Sequence, residues 1–214
     1  MLDCKIKVGI IDLGINNIQS IFNAYQLIGC KVKIISKKEN LSKYNIIVLP
    51  GVGSFKFAIK KLINMKIVSE IKNFLDKSPN NILVGICLGM QLFFDISYEF
   101  GGTKGMGLIS GKVLSFNKKK YKTVPHMNWN NILINKKSKL FSRYSGKNFY
   151  FVHSYYCQPI DVDHLVSQTD HDGHKFCSIV KKRNIIGLQF HPEKSGINGL
   201  KIYKQFKNLV LNNE

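Results

Sequence analysis

In the first half of the chain, apolar positions alternate between two rhythms. Lys5–Asp12, Lys31–Ile35, Asn45–Leu49 and Ile82–Ile86 carry short apolar runs of the kind that strands buried on both faces require. Between them, Asn17–Gly29 spaces its apolar side chains as an amphipathic helix does and stops at Gly29, and a second helical pattern fills Ala58–Leu75, with a break near Asn64. Strands alternating with helices of this length predict βαβ units and an α/β fold with a mainly parallel, doubly covered sheet. Functional loops of such a sheet lie at the carboxyl ends of its strands. Pro50-Gly51-Val52-Gly53 and Cys87 each follow a strand directly, so both belong at one sheet edge.

From about Gly105 the rhythm changes. Leu108–Phe116, Asn131–Ile134, Asn148–Val152, His164–Ser167, Lys175–Val180 and Asn184–Phe190 are shorter runs rich in Val, Ile, Phe and Tyr, separated by turn residues. They predict additional strands, antiparallel in part. An amphipathic helix over Gly199–Leu211 closes the chain. With no internal repeat, low-complexity stretch or linker, residues 1–214 are expected to form a single domain.

Charge alters this picture less than its size suggests. The 214 residues carry 32 Lys and Arg against 13 Asp and Glu, a formal net charge of +19. Only Arg143 and Arg183 are arginines, whereas nucleic-acid readers rely on Arg for bidentate and stacking contacts. The lysines are spread along the whole chain, and Lys118-Lys119-Lys120 and Lys181-Lys182-Arg183 fall in expected loops, so no nucleic-acid partner is inferred. No apolar run approaches the roughly 20 residues of a membrane span, and no basic-then-apolar leader is present, which predicts a cytoplasmic protein that does not engage a membrane. Cys4, Cys30, Cys87, Cys157 and Cys177 are scattered and odd in number, a pattern unlike a disulfide framework or a zinc site. His164, His171 and His174 lie in a loop-rich stretch with Asp163, Asp170 and Asp172, but their spacing fits no standard ligand pattern, so no metal is assigned.

One cysteine carries chemistry. Ile82-Leu83-Val84-Gly85-Ile86 leads into Cys87 and an apolar helical pattern follows it: a strand, a tight turn flanked by Gly85 and Gly89, and a helix. A thiol at the first turn of a helix also feels the positive end of the helix dipole, which favours the thiolate. A free cysteine is as readily a buried core thiol, so the assignment needs a partner base. Gln189-Phe190-His191-Pro192-Glu193 supplies one at the end of another apolar strand, with Glu193 placed to orient His191.

Gly85-Ile86-Cys87-Leu88-Gly89-Met90-Gln91 together with Gln189–Glu193 resembles the class I, triad-type glutamine amidotransferases. Asp12-Leu13-Gly14, Pro50–Phe55, Pro125–Asn130, Phe151–Tyr156 and His191–Ser195 narrow the resemblance to the glutaminase subunit of imidazole glycerol phosphate synthase. The resemblance implies that Cys87 attacks the amide of glutamine, that His191 transfers protons and that Glu193 orients it. It places the oxyanion hole at Val52, Gly53 and Leu88, and recognition of glutamine at Gln91, Glu99, Ser154 and Tyr155. It calls for no metal and no organic cofactor. It implies a heterodimer with a (β/α)8-barrel synthase subunit that receives the ammonia, contacted by Asn17, Ser54, His126, Trp129 and Lys194, and an oxyanion loop that reorients when the partner binds. Asn16 and Asn128 stand where the family has Gly, which leaves a paralogue feeding ammonia to sugar amidation as the competing reading.

Overall fold

The computed structural model of the chain describes residues 6–14, 18–116, 123–135 and 138–211. Its elements, in order, are β1 (Lys7–Ile11), α1 (Ile18–Leu27), β2 (Lys31–Ile35), β3 (Ile46–Leu49), α2 (Phe55–Asn64), α3 (Val68–Lys77), β4 (Ile82–Ile86) and α4 (Leu88–Gln91). There follow β5 (Phe94–Ser97), β6 (Thr103–Lys104), β7 (Ile109–Ser115), β8 (His126–Asn131), β9 (Leu133–Ile134), β10 (Asn148–His153) and β11 (Tyr155–Pro159). The last are β12 (Leu165–His171), β13 (His174–Lys182), β14 (Ile185–Leu188) and α5 (Gly196–Leu211).

Five strands, in the order β2-β1-β3-β4-β14, form a parallel block. Their side chains alternate between two cores, as period-2 geometry demands. Ile46 and Val48 face the core shared with Ile21 and Tyr25 of α1 and with Ile202 and Phe206 of α5. Ile47 and Leu49 face the core shared with Leu62 of α2 and Phe74 of α3. Each fully buried Ile or Leu contributes about 1.5–3 kcal/mol of transfer free energy, so both faces drive the layering. Beyond β14 the same sheet continues antiparallel through β13, β11 and β7, with β5 returning parallel to β7. The expected α/β architecture, a parallel centre with antiparallel additions, is what the chain adopts.

The break expected near Asn64 parts α2 from α3, where Lys66 takes φ 53° and the amide N–H of Ile67 returns to Leu62 O. Other local expectations change. The helix expected after Cys87 is a single turn, α4. The carbonyls of Leu92, Phe93 and Phe94 are instead taken by N–H groups of Met106, Leu108, Ile109 and Gly107, while Phe93 and Phe94 bury completely. So short a helix carries little macrodipole. The Asp161–His174 stretch is not loop-rich: β12 and β13 form a hairpin turned by Asp172 and Gly173, both at positive φ, with His171 opposite His174. Asp-Gly is the dipeptide that such a two-residue turn selects.

Candidate active site

β3, β4 and β14 are neighbours, with Leu49 beside Gly85 and Ile86 beside Leu188. Three chain segments therefore leave the sheet at one edge: the 50–54 loop, Cys87 and Gln189–Glu193. Cys87 sits at φ 53°, ψ −109°, an unfavourable backbone for a residue with a Cβ, typically worth 1–3 kcal/mol of strain. The sheet holds it there, since its N–H donates to Leu188 O at 2.7 Å. Neighbouring glycines permit the close packing: a Cβ on Gly89 would lie 1.7 Å from Leu49 O, and one on Gly85 would lie 2.6 Å from the Phe93 ring.

The Cys87 sulfur lies 3.6 Å from Gln189 Nε2, a donor, and 3.7 Å from Val152 O. His191 follows β14 and is almost fully buried. Its main chain is fixed by an N–H bond to Tyr150 O and by the Ser195 hydroxyl, which donates to His191 O. Its Nδ1 meets Glu193 Oε1 at 2.7 Å, so Nδ1 carries the hydrogen, while Nε2 is buried with no hydrogen-bond partner among the described residues. Burial alone would depress the basicity of His191, but the proximity of Cys87, and then of Glu193, outweighs it and raises the pKa to about 10. This arrangement favours the imidazolium form of His191.

A cavity of about 290 Å³ opens on the sulfur. Val52, Gly53 and Leu88 line it, and so do Gln91, Glu99, Ser154 and Tyr155. The seven residues expected to stabilise the oxyanion or bind glutamine thus share one wall with Cys87. Two of them carry further duties. The Gln91 amide donates to Tyr155 O at 3.0 Å and to Gln189 Oε1 at 3.3 Å, tying α4 to β11 and to the residue that follows β14. Glu99 accepts the N–H of Phe55, capping α2 where the side chain of Ser54 makes no capping bond. The N–H of Leu88, one expected oxyanion donor, bonds Gly51 O at 3.2 Å. A larger cavity of about 640 Å³, between Lys72 and Arg183 at the amino ends of β4 and β14, contains none of these residues.

The expected partner contacts divide. Trp129 and Lys194 are exposed, and Trp129 shares the outward face of β8 with Met127. Ser54 is half-buried, and Asn17 lies outside the described residues. His126 turns inward instead, with only 2% of its surface exposed. His153 Nδ1 donates to Tyr155 O at 2.8 Å, which leaves its Nε2 to accept from His126 Nδ1 at 3.1 Å. Burial, and then their histidine neighbours, push His126 down to about 4 and His153 well below its usual value, so both rings are neutral struts between β8, β10 and β11. Asn128 does not occupy positive φ; it is an extended β8 residue whose Oδ1 accepts the Trp129 N–H, so Asn in place of Gly strains nothing there. The sequence alone assigns Gln189 no role; its contact with the sulfur follows from its place directly after β14, two residues before His191. Among the described residues, no cluster of three or more His, Cys, Asp or Glu is arranged to hold a metal ion, and no helix is long and apolar enough to cross a membrane.

The family model described as glutamine amidotransferase class-I matches residues 9–208. The imidazole glycerol phosphate synthase subunit HisH of Archaeoglobus fulgidus is 42% identical over 204 residues, spanning 95% of this chain and 98% of that protein. The HisH subunit of Chlorobaculum tepidum is 38% identical over 200 residues, spanning 93% and 98%. Among solved structures, that of PurLQS from Thermotoga maritima contains a chain that superposes with a TM-score of 0.74 at 20% identity, covering 98% of this chain and 99% of that one. A second, titled as a glutamine amidotransferase, superposes at 0.71 with 15% identity, covering 95% of this chain and 98% of that one; both share the fold.

Proposed function

This chain belongs to the class I glutamine amidotransferases and, within them, to the HisH subunits of imidazole glycerol phosphate synthase, and we propose that Cys87, His191 and Glu193 are the groups with which it hydrolyses glutamine. Residues 1–214 are read as one amidotransferase domain. The observation that carries the assignment is the convergence of three strand ends: a strained cysteine, a buried histidine with its Nδ1 committed to a carboxylate, and one cavity reaching the sulfur.

Cys87 thiolate attacks the side-chain amide carbon of glutamine, and the carbonyl oxygen becomes an oxyanion held by the N–H of Leu88 and an N–H from Val52 or Gly53. His191 gives its Nε2 proton to the departing nitrogen, so ammonia leaves and a glutamyl thioester remains on Cys87. Neutral His191 then takes a proton from water, whose oxygen attacks the thioester; glutamate departs and the thiolate–imidazolium pair returns. Glu193 keeps the imidazole in one tautomer and stabilises its charged form throughout. Gln189 Nε2 supplies a donor to the sulfur, and Ser154, Tyr155, Gln91 and Glu99 receive the amino-acid end of the substrate. No cofactor takes part.

As a HisH subunit the chain implies a synthase partner. We read that partner as a (β/α)8 barrel lying over Met127, Trp129, Val52, Ser54 and Lys194, with the heterodimer in the cytoplasm. A cavity of about 130 Å³ lined by Ile21, Pro50, Gly51, His191 and Lys194 shares Val52 with the glutamine cavity and offers ammonia a way towards the partner.

The test is glutamine hydrolysis by the complex with its synthase subunit. Cys87→Ala should abolish turnover and leave folding and partner binding intact, and the chain alone should turn over far more slowly than the complex. Glutamate release by Cys87→Ala would end the nucleophile assignment.

A further inference from the structure

Glu193 grips His191 with one oxygen only. Oε1 lies 2.7 Å from Nδ1, whereas Oε2 is buried with no hydrogen-bond partner among the described residues. A bare carboxylate oxygen inside a protein is unfavourable, and a glutamate held at one point can rotate about its broad terminal torsion. Tyr203 of α5 presents the complementary defect: it is wholly buried, and its hydroxyl also lacks a partner.

The two groups are neighbours. α5 packs directly on the turn that carries Glu193; Gly199 donates to Ser195 O, and a Cβ there would sit 1.8 Å from Pro192 O. Burial first, and then the Glu193 charge, push the Tyr203 phenol well above its usual value, so this hydroxyl keeps its proton and faces the carboxylate as a donor. Tyr25 of α1 packs its ring 4.6 Å from that of Tyr203 at 52°, which holds the Tyr203 ring in place.

We propose that the Tyr203 hydroxyl donates to Oε2 of Glu193 and is a positioning residue for His191. Tyr203, Glu193, His191 and Cys87 then form one chain from α5 to the nucleophile. Anchoring the outer oxygen holds Oε1 against Nδ1, because the carboxylate can no longer turn about its terminal torsion. The proposal rests on the triad reading and deepens it.

Tyr203→Phe keeps the ring and removes only the donor. In the complex with its synthase subunit, kcat for glutamine hydrolysis should fall about tenfold, the scale of losing one charge-assisted hydrogen bond. KM should stay within about twofold, since neither Tyr203 nor Glu193 lines the glutamine cavity. In the chain alone, the low-field His191 Nδ1–H resonance should shift. That signal, read well below the unfolding temperature, decides the matter even if the variant is less stable. An unchanged resonance and kcat overturn the proposal, and a lowered unfolding temperature with an unchanged resonance does so equally. If Cys87→Ala retains hydrolysis, the triad reading fails and takes the proposal with it; if only Tyr203→Phe is silent, the triad stands and the proposal alone falls.

Discussion

Removing the Cys87 sulfur should change the titration of His191. Burial favours the neutral ring, yet Cys87 and Glu193 together lift its pKa from 6.5 to about 10. At 1.36 kcal/mol per pH unit, that rise is on the order of 5 kcal/mol in favour of the imidazolium. Cys87→Ala leaves burial pulling down against Glu193 alone, and the loss of one close opposite charge should lower the midpoint by about 1–3 pH units. With imidazole nitrogens labelled, NMR can follow each of the six histidines, and His191 is the signal missing from His191→Asn. The sign follows from a raised folded-state pKa: the wild-type ring stays protonated through neutrality and releases its proton only as pH rises through about 10. The variant releases it earlier. Glutamine turnover by the wild-type complex should hold across neutral pH and fall on that same alkaline limb, because departing ammonia needs the His191 proton. A wild-type midpoint near 6.5, or one that Cys87→Ala does not move, would refute the ion-pair reading.

Gly89→Ala forces a Cβ to within 1.7 Å of the Leu49 carbonyl, main chain against main chain. Urea denaturation should find it about 3 kcal/mol or more less stable. Gly14→Ala, with φ +74° but open space around it, should cost only about 1 kcal/mol. His126 and His153 stay neutral in the native chain while the unfolded rings take up protons below about 6.5. Stability should therefore fall as pH drops from 6.5 towards 4.5, by up to about 1.4 kcal/mol per pH unit for each ring; a flat profile there would contradict the buried histidine pair.

The parallel block was legible because its strands bury both faces, and only unbroken apolar runs satisfy two cores at once: Ile46-Ile47-Val48-Leu49 can be little else. The antiparallel half was partly hidden, for the opposite reason. β8, His126-Met127-Asn128-Trp129-Asn130-Asn131, buries little beyond His126, and its hydrogen bonds to β10 rather than its side chains make it a strand. In β12, polar Ser167 and Thr169 are buried because each hydroxyl finds a partner, on Ser178 and on Asn131 O, and no hydrophobic pattern can announce that. Chemistry was easier to read than length. Cys87 and His191 each follow an apolar run, with Glu193 two residues beyond, but the short α4 depends on Met106–Ile109 claiming carbonyls that a continued helix would have used. The pairing of Tyr203 with Glu193 had no local signal, since Tyr203 looks like any apolar-face residue of α5 until the 192–194 turn is placed beneath it.

The contact between Leu88 N–H and Gly51 O bears on how ammonia release is tied to its use. An oxyanion at Cys87 needs that N–H, and in this conformation a carbonyl occupies it. The obstruction can be relieved locally. Gly51 packs backbone to backbone on α4, where any Cβ would come within 2.7 Å of Leu88, and Gly53 already stands at φ +97°. Turning the peptide between them would withdraw the carbonyl and bring an N–H of Val52 or Gly53 towards the cavity. β3 anchors the loop at one end and the bond from Phe55 N–H to Glu99 at the other, so the movement is confined to residues 50–54. Val52 is 40% exposed, a handle within reach of whatever covers Trp129 and Met127. On the proposed reading, a partner that contacts only the turned loop shifts the population by its differential affinity, and about 5.5 kcal/mol carries such an equilibrium from one part in a hundred to ninety-nine. Docking and oxyanion formation then become one equilibrium, and glutamine is cleaved where an acceptor for ammonia is in place.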